Sequence, residues 1–138
     1  MDLIRIQAGD FDLDETLRAL KAPDVGGLVF FVGSVRGVDP AGPLERLEYE
    51  AWREEAERSL KKLAGEARAK FGVKRVAIIH RTGALPPGEN AVLVAAAAAH
   101  RKEAFDACEW LIDTLKVTAP IWKKEVFSSG ESRWVRHP

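Results

Sequence analysis

The sequence predicts a single-domain α+β fold, and three observations carry that reading. Residues 53–71 show helical periodicity, with Ala56, Leu60, Leu63, Ala67 and Phe71 on one stripe and charges on the rest. The apolar run 28–32 (Leu-Val-Phe-Phe-Val) is β-branched and aromatic and too short for a buried helix, so it reads as a strand. Segments 121–127 and 132–135 flank Ser128-Ser129-Gly130 and read as a closing hairpin. Helices and strands interleave irregularly along the chain, which favours α+β over a strict βαβ repeat.

The remaining elements follow in order. A short helix over 12–22 is capped by Asp12, carries Leu13, Leu17 and Leu20 on one face and stops at Pro23. Gly26-Gly27 opens the first strand, and Gly33 to Gly37 leaves it. Residues 38–43 hold two prolines and a glycine, so a flexible loop without regular structure is expected over about 37–43. Leu47, Tyr49 and Ala51 alternate with Glu48 and Glu50, giving a strand over 44–52. Gly72 ends the long helix. A strand over 73–80 runs to Thr82-Gly83 and the turn at 86–90. Residues 91–99 are alanine-rich, which favours helix, but Val92-Leu93-Val94 follows a turn, and the segment is read as a buried strand. The last helix, 101–117, is expected to place Phe105, Cys108, Ile112 and Leu115 on its core side, with Pro120 blocking its continuation.

Composition narrows the function classes. The 138 residues are 46% hydrophobic and 30% charged, a globular balance, and 21 basic residues against 21 acidic ones leave no net charge. Duplex nucleic acid is held by neutralising many phosphates, so a neutral chain argues against that partner. The single cysteine, Cys108, allows no internal disulfide and no multi-cysteine metal site, and its place on an apolar helix face reads as an inert core thiol. His80 and His100 lie twenty residues apart without a neighbouring cysteine or carboxylate motif, so no metal site is expected. The longest apolar run, 91–99, is far short of a membrane span, and Met1-Asp2-Leu3-Ile4-Arg5 lacks a signal-peptide layout. These features predict a soluble, cytoplasmic protein.

Four basic groups sit where elements end, which is where sites usually lie. Arg36 follows the first strand; it is either a fork for phosphate or carboxylate, or an ordinary surface arginine. His100-Arg101 opens the last helix, where free N–H groups and the helix dipole favour anions. Lys116 lies in the last turn of that helix, a position the dipole favours in any case. Lys123 and Glu125 share one face of the following strand and Lys124 takes the other. A lysine near other cations has its pKa pushed down, which suits acid–base work; the alternative is a charged edge strand that resists aggregation. His80-Arg81 has no helix dipole behind it and is read as structural. Physical reasoning reaches an anion-binding site with candidate acid–base lysines and stops there.

An ordered set of motifs goes further. It comprises Phe31-Val32-Gly33-Ser34-Val35-Arg36, Leu47-Glu48-Tyr49-Glu50-Ala51, Ile79-His80-Arg81-Thr82-Gly83 and Ala99-His100-Arg101. Leu115-Lys116, Pro120-Ile121-Trp122-Lys123-Lys124-Glu125, Gly130 and Arg133-Trp134-Val135 complete it. Together, from about Gly27 to Val135, the chain resembles the large, catalytic subunit of molybdopterin synthase.

The resemblance implies a hammerhead-type α/β core with an added antiparallel sheet. It implies an enzyme that needs no cofactor of its own and that adds two sulfurs to cyclic pyranopterin monophosphate (precursor Z), forming the dithiolene of molybdopterin. The sulfur comes as a thiocarboxylate on the C-terminal glycine of a small ubiquitin-like carrier, and two of each subunit form a heterotetramer around a homodimer of large subunits. Carried over by motif, the catalytic residues are Lys116 and Lys123, and the substrate-binding residues are Arg36, His100 and Arg101, with Lys124 and Glu125 beside them. Arg36, His100 and Arg101 suit the cyclic phosphate, and the two lysines suit proton transfer and a developing oxyanion.

One geometric expectation follows. Arg101 and Lys116 are fifteen residues apart on one predicted helix, about 22 Å at 1.5 Å per residue. A small substrate cannot span that distance, so each site is expected to take Lys116 and Lys123 from one subunit and His100-Arg101 from its two-fold mate. Two other readings compete. A non-catalytic phosphate-ligand or protein-binding module on the same fold would have no need of the lysine pair. Single-stranded nucleic-acid binding would use Trp122 and Trp134 as stacking platforms, against the neutral net charge.

Overall fold

The computed structural model describes residues 2–135; residue 1 and residues 136–138, Arg136 among them, lie outside it. The α+β expectation is met by three helices and two sheets. The first sheet has four strands in the order β1 (Leu3–Gln7), β5 (Arg75–Arg81), β7 (Asn90–Ala98) and β2 (Gly27–Ser34). Only β1 and β5 run parallel; the other neighbours are antiparallel. Helices α2 (Arg53–Phe71) and α3 (Arg101–Thr118) pack on one face, and α1 (Leu13–Leu20) lies on the other.

The ambiguous alanine run is a strand, and its period-2 geometry explains the composition. Val92, Val94, Ala96 and Ala98 face α2 and α3, while Leu93, Ala95 and Ala97 face the opposite core with Phe11 and Leu20. A strand covered on both faces reads as continuously apolar, and alanines let the helices approach closely. The approach is tightest at Gly26-Gly27. A Cβ on Gly26 would stand 2.4 Å from the Ala99 carbonyl oxygen, and one on Gly27 would stand 3.0 Å from the Arg101 backbone. The start of α3 is thereby seated against the start of β2.

Local signals set the helix ends. Asp12 Oδ1 accepts from the Asp14 and Glu15 N–H groups at 2.9 and 3.2 Å. Gly72 closes α2 in the left-handed region at φ 73°, donating its N–H to Arg68. Along α3, Ala104, Ala107, Cys108, Leu111, Ile112 and Leu115 are buried, whereas Phe105 is 59% exposed. The expected core role of Phe105 is thus corrected: it lies two turns before Ile112 on the same line, where no described residue covers it. Cys108 is buried, bonds the Val94 carbonyl, and burial raises its thiol to about 11, in keeping with an inert thiol.

The second sheet runs β3 (Val38–Asp39), β4 (Gly42–Ala51), β8 (Ile121–Phe127) and β9 (Ser132–Val135), with β6 (Gly83–Leu85) also pairing β4. The absence of regular structure expected at 38–43 is corrected here. Val38 and Asp39 pair with Pro43 and Gly42 as a tight hairpin, and Asp39 Oδ1 accepts from the Ala41 N–H. Pro40 sits in the turn, and the rung bond comes from the Leu44 N–H to Gly37, so the N–H that Pro43 lacks is not needed. Strands β1 and β6 are additions that the sequence reading did not contain. Among the described residues, no helix is long and apolar enough to cross a membrane.

Candidate functional site

The second sheet presents an inward column formed by cross-strand register. Tyr49 pairs with Lys123 and Leu47 with Glu125 across β4 and β8, and Lys123 and Glu125 pair with Val135 and Arg133 across β8 and β9. The chain reverses at Ala119-Pro120 between α3 and β8, with the Trp52 N–H donating to the Pro120 carbonyl. That reversal brings Lys116, at the end of α3, beside Lys123. Arg36 reaches the same place from the end of β2. Its segment is tied on both sides: Val35 exchanges hydrogen bonds with Gly88 and Glu89 at 2.9 Å each, and Gly37 accepts from Leu44.

The result is a pocket with two adjoining chambers that share Tyr49, Val92, Lys116 and Lys123. One chamber continues to His80, Ile112, Leu115 and Ile121; the other opens to Arg36, Asp39 and Glu125. Arg36 and Lys116 are exposed at the rim, while His80 and Glu125 are buried in the floor.

The charges are ordered. Burial lowers the Lys123 pKa, Glu125 and Asp39 oppose that shift, and the like charges of Lys116 and Arg36 reinforce it. Glu125 accepts from Arg133 Nε at 2.6 Å, and Arg133 reaches Asp39 at 3.2 Å, so the carboxylates beside Lys123 are shared with a second cation. Burial pushes the Tyr49 hydroxyl up to about 12, helped by the charge of Glu125. Burial drives His80 down to about 4, so its imidazole is neutral at physiological pH.

The structure therefore brings together Arg36, Lys116, Lys123 and Glu125 of the sequence-predicted set. It separates the other three. Lys124 lies on the opposite face of β8, with its ammonium 5.8 Å from the centre of the Trp134 ring. His100 and Arg101 stand exposed at the far end of α3; His100 is the N-cap residue without a side-chain cap bond, 3.8 Å from the Glu103 carboxylate. Sequence reasoning missed Tyr49 and His80 as pocket residues. The Leu47-Tyr49-Ala51 alternation already placed Tyr49 on the inward face; His80, read with Arg81 as structural, lines the pocket because the fold brings the end of β5 against Tyr49 of β4.

This arrangement, a cationic pocket holding a half-buried lysine with a lowered pKa, can be set beside known proteins. The family model described as MoaE protein matches residues 6–118, most of the chain. The chain belongs to the MoaE protein family. A molybdopterin synthase catalytic subunit from Pyrococcus abyssi is 39% identical over 122 residues, 88% of this chain and 82% of that relative. Molybdopterin synthase catalytic subunit 1 from Mycobacterium tuberculosis is 44% identical over 131 residues, 95% of this chain and 88% of the relative. Among solved structures, molybdopterin synthase from Staphylococcus aureus superposes with a TM-score of 0.89 at 33% identity, covering 94% of both chains. The complex of subunits 1 and 2 of the molybdopterin-converting factor from Helicobacter pylori gives a TM-score of 0.78 at 25% identity, over 98% of this chain and 93% of that one. In this MoaE-family chain the pocket is formed where its two sheets and the end of α3 meet.

Proposed function

We propose that this chain is the catalytic subunit of a molybdopterin synthase, a cytoplasmic sulfurtransferase of molybdenum cofactor biosynthesis. It takes sulfur from the C-terminal thiocarboxylate of a small ubiquitin-like carrier and delivers it to precursor Z. The observation that carries this reading is the convergence of Lys116, Lys123 and Arg36 on one pocket that holds no reactive cysteine of its own. The nucleophilic sulfur has to arrive with a partner, and an anionic tail is what such a pocket receives.

In this mechanism the thiocarboxylate sulfur forms a C–S bond to a side-chain carbon of the pterin as that carbon's bond to oxygen breaks, the oxygen leaving with a proton taken from the pocket, and the sulfur then joins the carrier's terminal carbonyl to the pterin as a thioester. Water then cleaves the acyl–sulfur bond, and the carrier leaves with a terminal carboxylate. Lys116 and Arg36 balance the charge of the tail and of the oxyanion formed during that cleavage. Lys123, with its pKa lowered, releases a proton to the departing group more readily than an ordinary lysine. His100 and Arg101 hold the cyclic phosphate from a two-fold mate, because within one chain α3 keeps them about 22 Å from Lys116. Two such chains and two carriers form the working assembly.

Reconstitution tests both parts. Wild-type chain, thiocarboxylated carrier and precursor Z should yield the oxidised fluorescent derivative of molybdopterin, and Lys116→Ala should lose about two orders of magnitude or more in rate. A stable carrier complex without product would instead identify a non-catalytic binding module. A mixed dimer carrying His100→Ala/Arg101→Ala in one chain and Lys116→Ala in the other should keep one intact site; a site built within one chain would leave none.

A further inference from the structure

His80 lies in the floor of the pocket with Lys116 and Lys123, yet the proposed chemistry gives it no task. Its surroundings fix which nitrogen carries the proton. Arg81 is held rigidly, with Nε donating to the Ala8 carbonyl at 3.1 Å and Nη1 donating to the Asn90 carbonyl at 3.0 Å. The Arg81 carbonyl is therefore a fixed acceptor, and His80 Nδ1 lies 2.8 Å from it. A carbonyl only accepts, so Nδ1 bears the hydrogen and Nε2 is left as a bare lone pair. No hydrogen bond to Nε2 is present among the described residues, and none of their fully buried side-chain polar atoms is unsatisfied. Nε2 therefore faces the open chamber rather than packed protein.

The groups around that chamber identify the donor. Tyr49 meets the imidazole edge to face, with ring centres 5.0 Å apart, so its ring rather than its hydroxyl makes that contact. Lys123 is the cation whose charge reaches His80. Its ammonium has no hydrogen bond or ion pair among the described residues, and Oε1 of Glu125, the carboxylate whose charge acts on it most, is engaged by Arg133. A half-buried ammonium needs an acceptor, and the chamber offers one that cannot act as a donor.

We propose that His80 is a positioning residue for Lys123: rotation of the lysine side chain within the chamber they share lets its ammonium donate to the bare Nε2, and that bond, not made in the conformation described, fixes where the lysine gives and takes its proton. The inference rests on the reading of Lys123 as the proton-transferring group. His80 does not transfer the proton itself, because an imidazole titrating near 4 is almost never charged at neutral pH. The other groups facing Lys123 are Glu125 on its own strand, Lys116 from α3, Arg36 beyond β2, Asp39 on β3 and Tyr49 on β4. Changing His80 alters the identity of none of them.

The test reads Lys123 directly, by NMR titration of carbon-13-labelled lysine in the unliganded chain, with Lys123→Arg assigning the signal. His80→Phe keeps a ring against Tyr49 and removes the acceptor, whereas His80→Gln restores an acceptor. In His80→Phe, Lys123 should titrate about one pH unit lower than in wild type, because a hydrogen bond to the charged form is lost. In the reconstituted assay kcat should fall about tenfold with KM for the carrier unchanged, the pH profile moving with the lysine, and His80→Gln should recover both. An unmoved Lys123 titration, or His80→Gln behaving like His80→Phe, would overturn the proposal. A shifted titration in a chain that transfers no sulfur even as wild type would sustain the positioning role and remove the sulfurtransferase reading instead. Should His80→Phe fail to fold, the long-range proton–nitrogen spectrum of wild-type His80 decides: protonated Nδ1 with bare Nε2 is expected, and the Nε2–H tautomer would overturn the inference.

Discussion

In the four-stranded sheet, residues 91–98 of β7 are buried on both faces and wholly apolar, whereas the inward column of the second sheet holds Tyr49, Lys123, Glu125 and Arg133. The first region buries its strands between α1 on one side and α2 and α3 on the other. The second has a small apolar cluster of Val35, Leu44, Leu47, Leu85, Ala91 and Phe127, and beyond it the sheet turns charged groups toward a pocket. Apolar burial is thus concentrated in one sheet and the charged lining of the pocket in the other, and the two meet where β2, β5 and α3 end.

The largest expected effect breaks the first region. Leu111 is fully buried between α3 and the sheet, and Leu111→Ala should cost about 2–5 kcal/mol in urea unfolding at constant m-value. A cost under about 1 kcal/mol would show that this sheet is not where the stability resides.

A second measurement places one titrating group on the border between the regions. The folded-state pKa of His80, about 4, lies below its unfolded value of 6.5, so between those values the unfolded chain binds the extra proton. Stability is then fully present above pH 6.5 and declines as the pH falls toward 4. The wild type should lose roughly 3 kcal/mol more than His80→Phe between pH 7 and pH 4, read by urea melts at each pH. Parallel declines in the two proteins would refute the assignment.

The smallest effect sharpens the comparison from the other side. The Lys123 pKa lies below its ordinary value of 10.5, chiefly through burial, so its charged form costs stability at neutral pH. That cost is relieved as the pH rises through the lowered pKa toward 10.5. Lys123→Met should therefore be as stable as wild type or slightly more stable at pH 7, the difference shrinking toward pH 10, while sulfur transfer is lost. Marked destabilisation at pH 7 would mean that the second sheet depends on this charge.

The same division explains what the sequence revealed. The bounds of α2, β8 and β9 are those expected, because a 3.6-residue stripe ending in Gly72 and a hairpin turning at Ser128-Ser129-Gly130 are local patterns. β1 was not visible, since Leu3–Gln7 owes its conformation to parallel pairing with β5, seventy or more residues away. The prolines at 40 and 43 argued for a loop because residue counting ignores which rungs need an N–H. Arg36, Lys116, Lys123 and Glu125 could be named from motifs, but the role of His80 depends on the Arg81 carbonyl and on contact with Tyr49, which only the folded sheets supply.

The seat at Gly26-Gly27 has a further consequence. With its first turn locked against β2 and its last turn leading through Pro120 into the lysine-bearing strand, α3 behaves as a rigid strut of fixed length. On the shared-site reading its two ends belong to two different reaction centres. The helix is then a gauge for the assembly: its residue count sets the separation between the centres, and inserting or deleting one turn would detune both together.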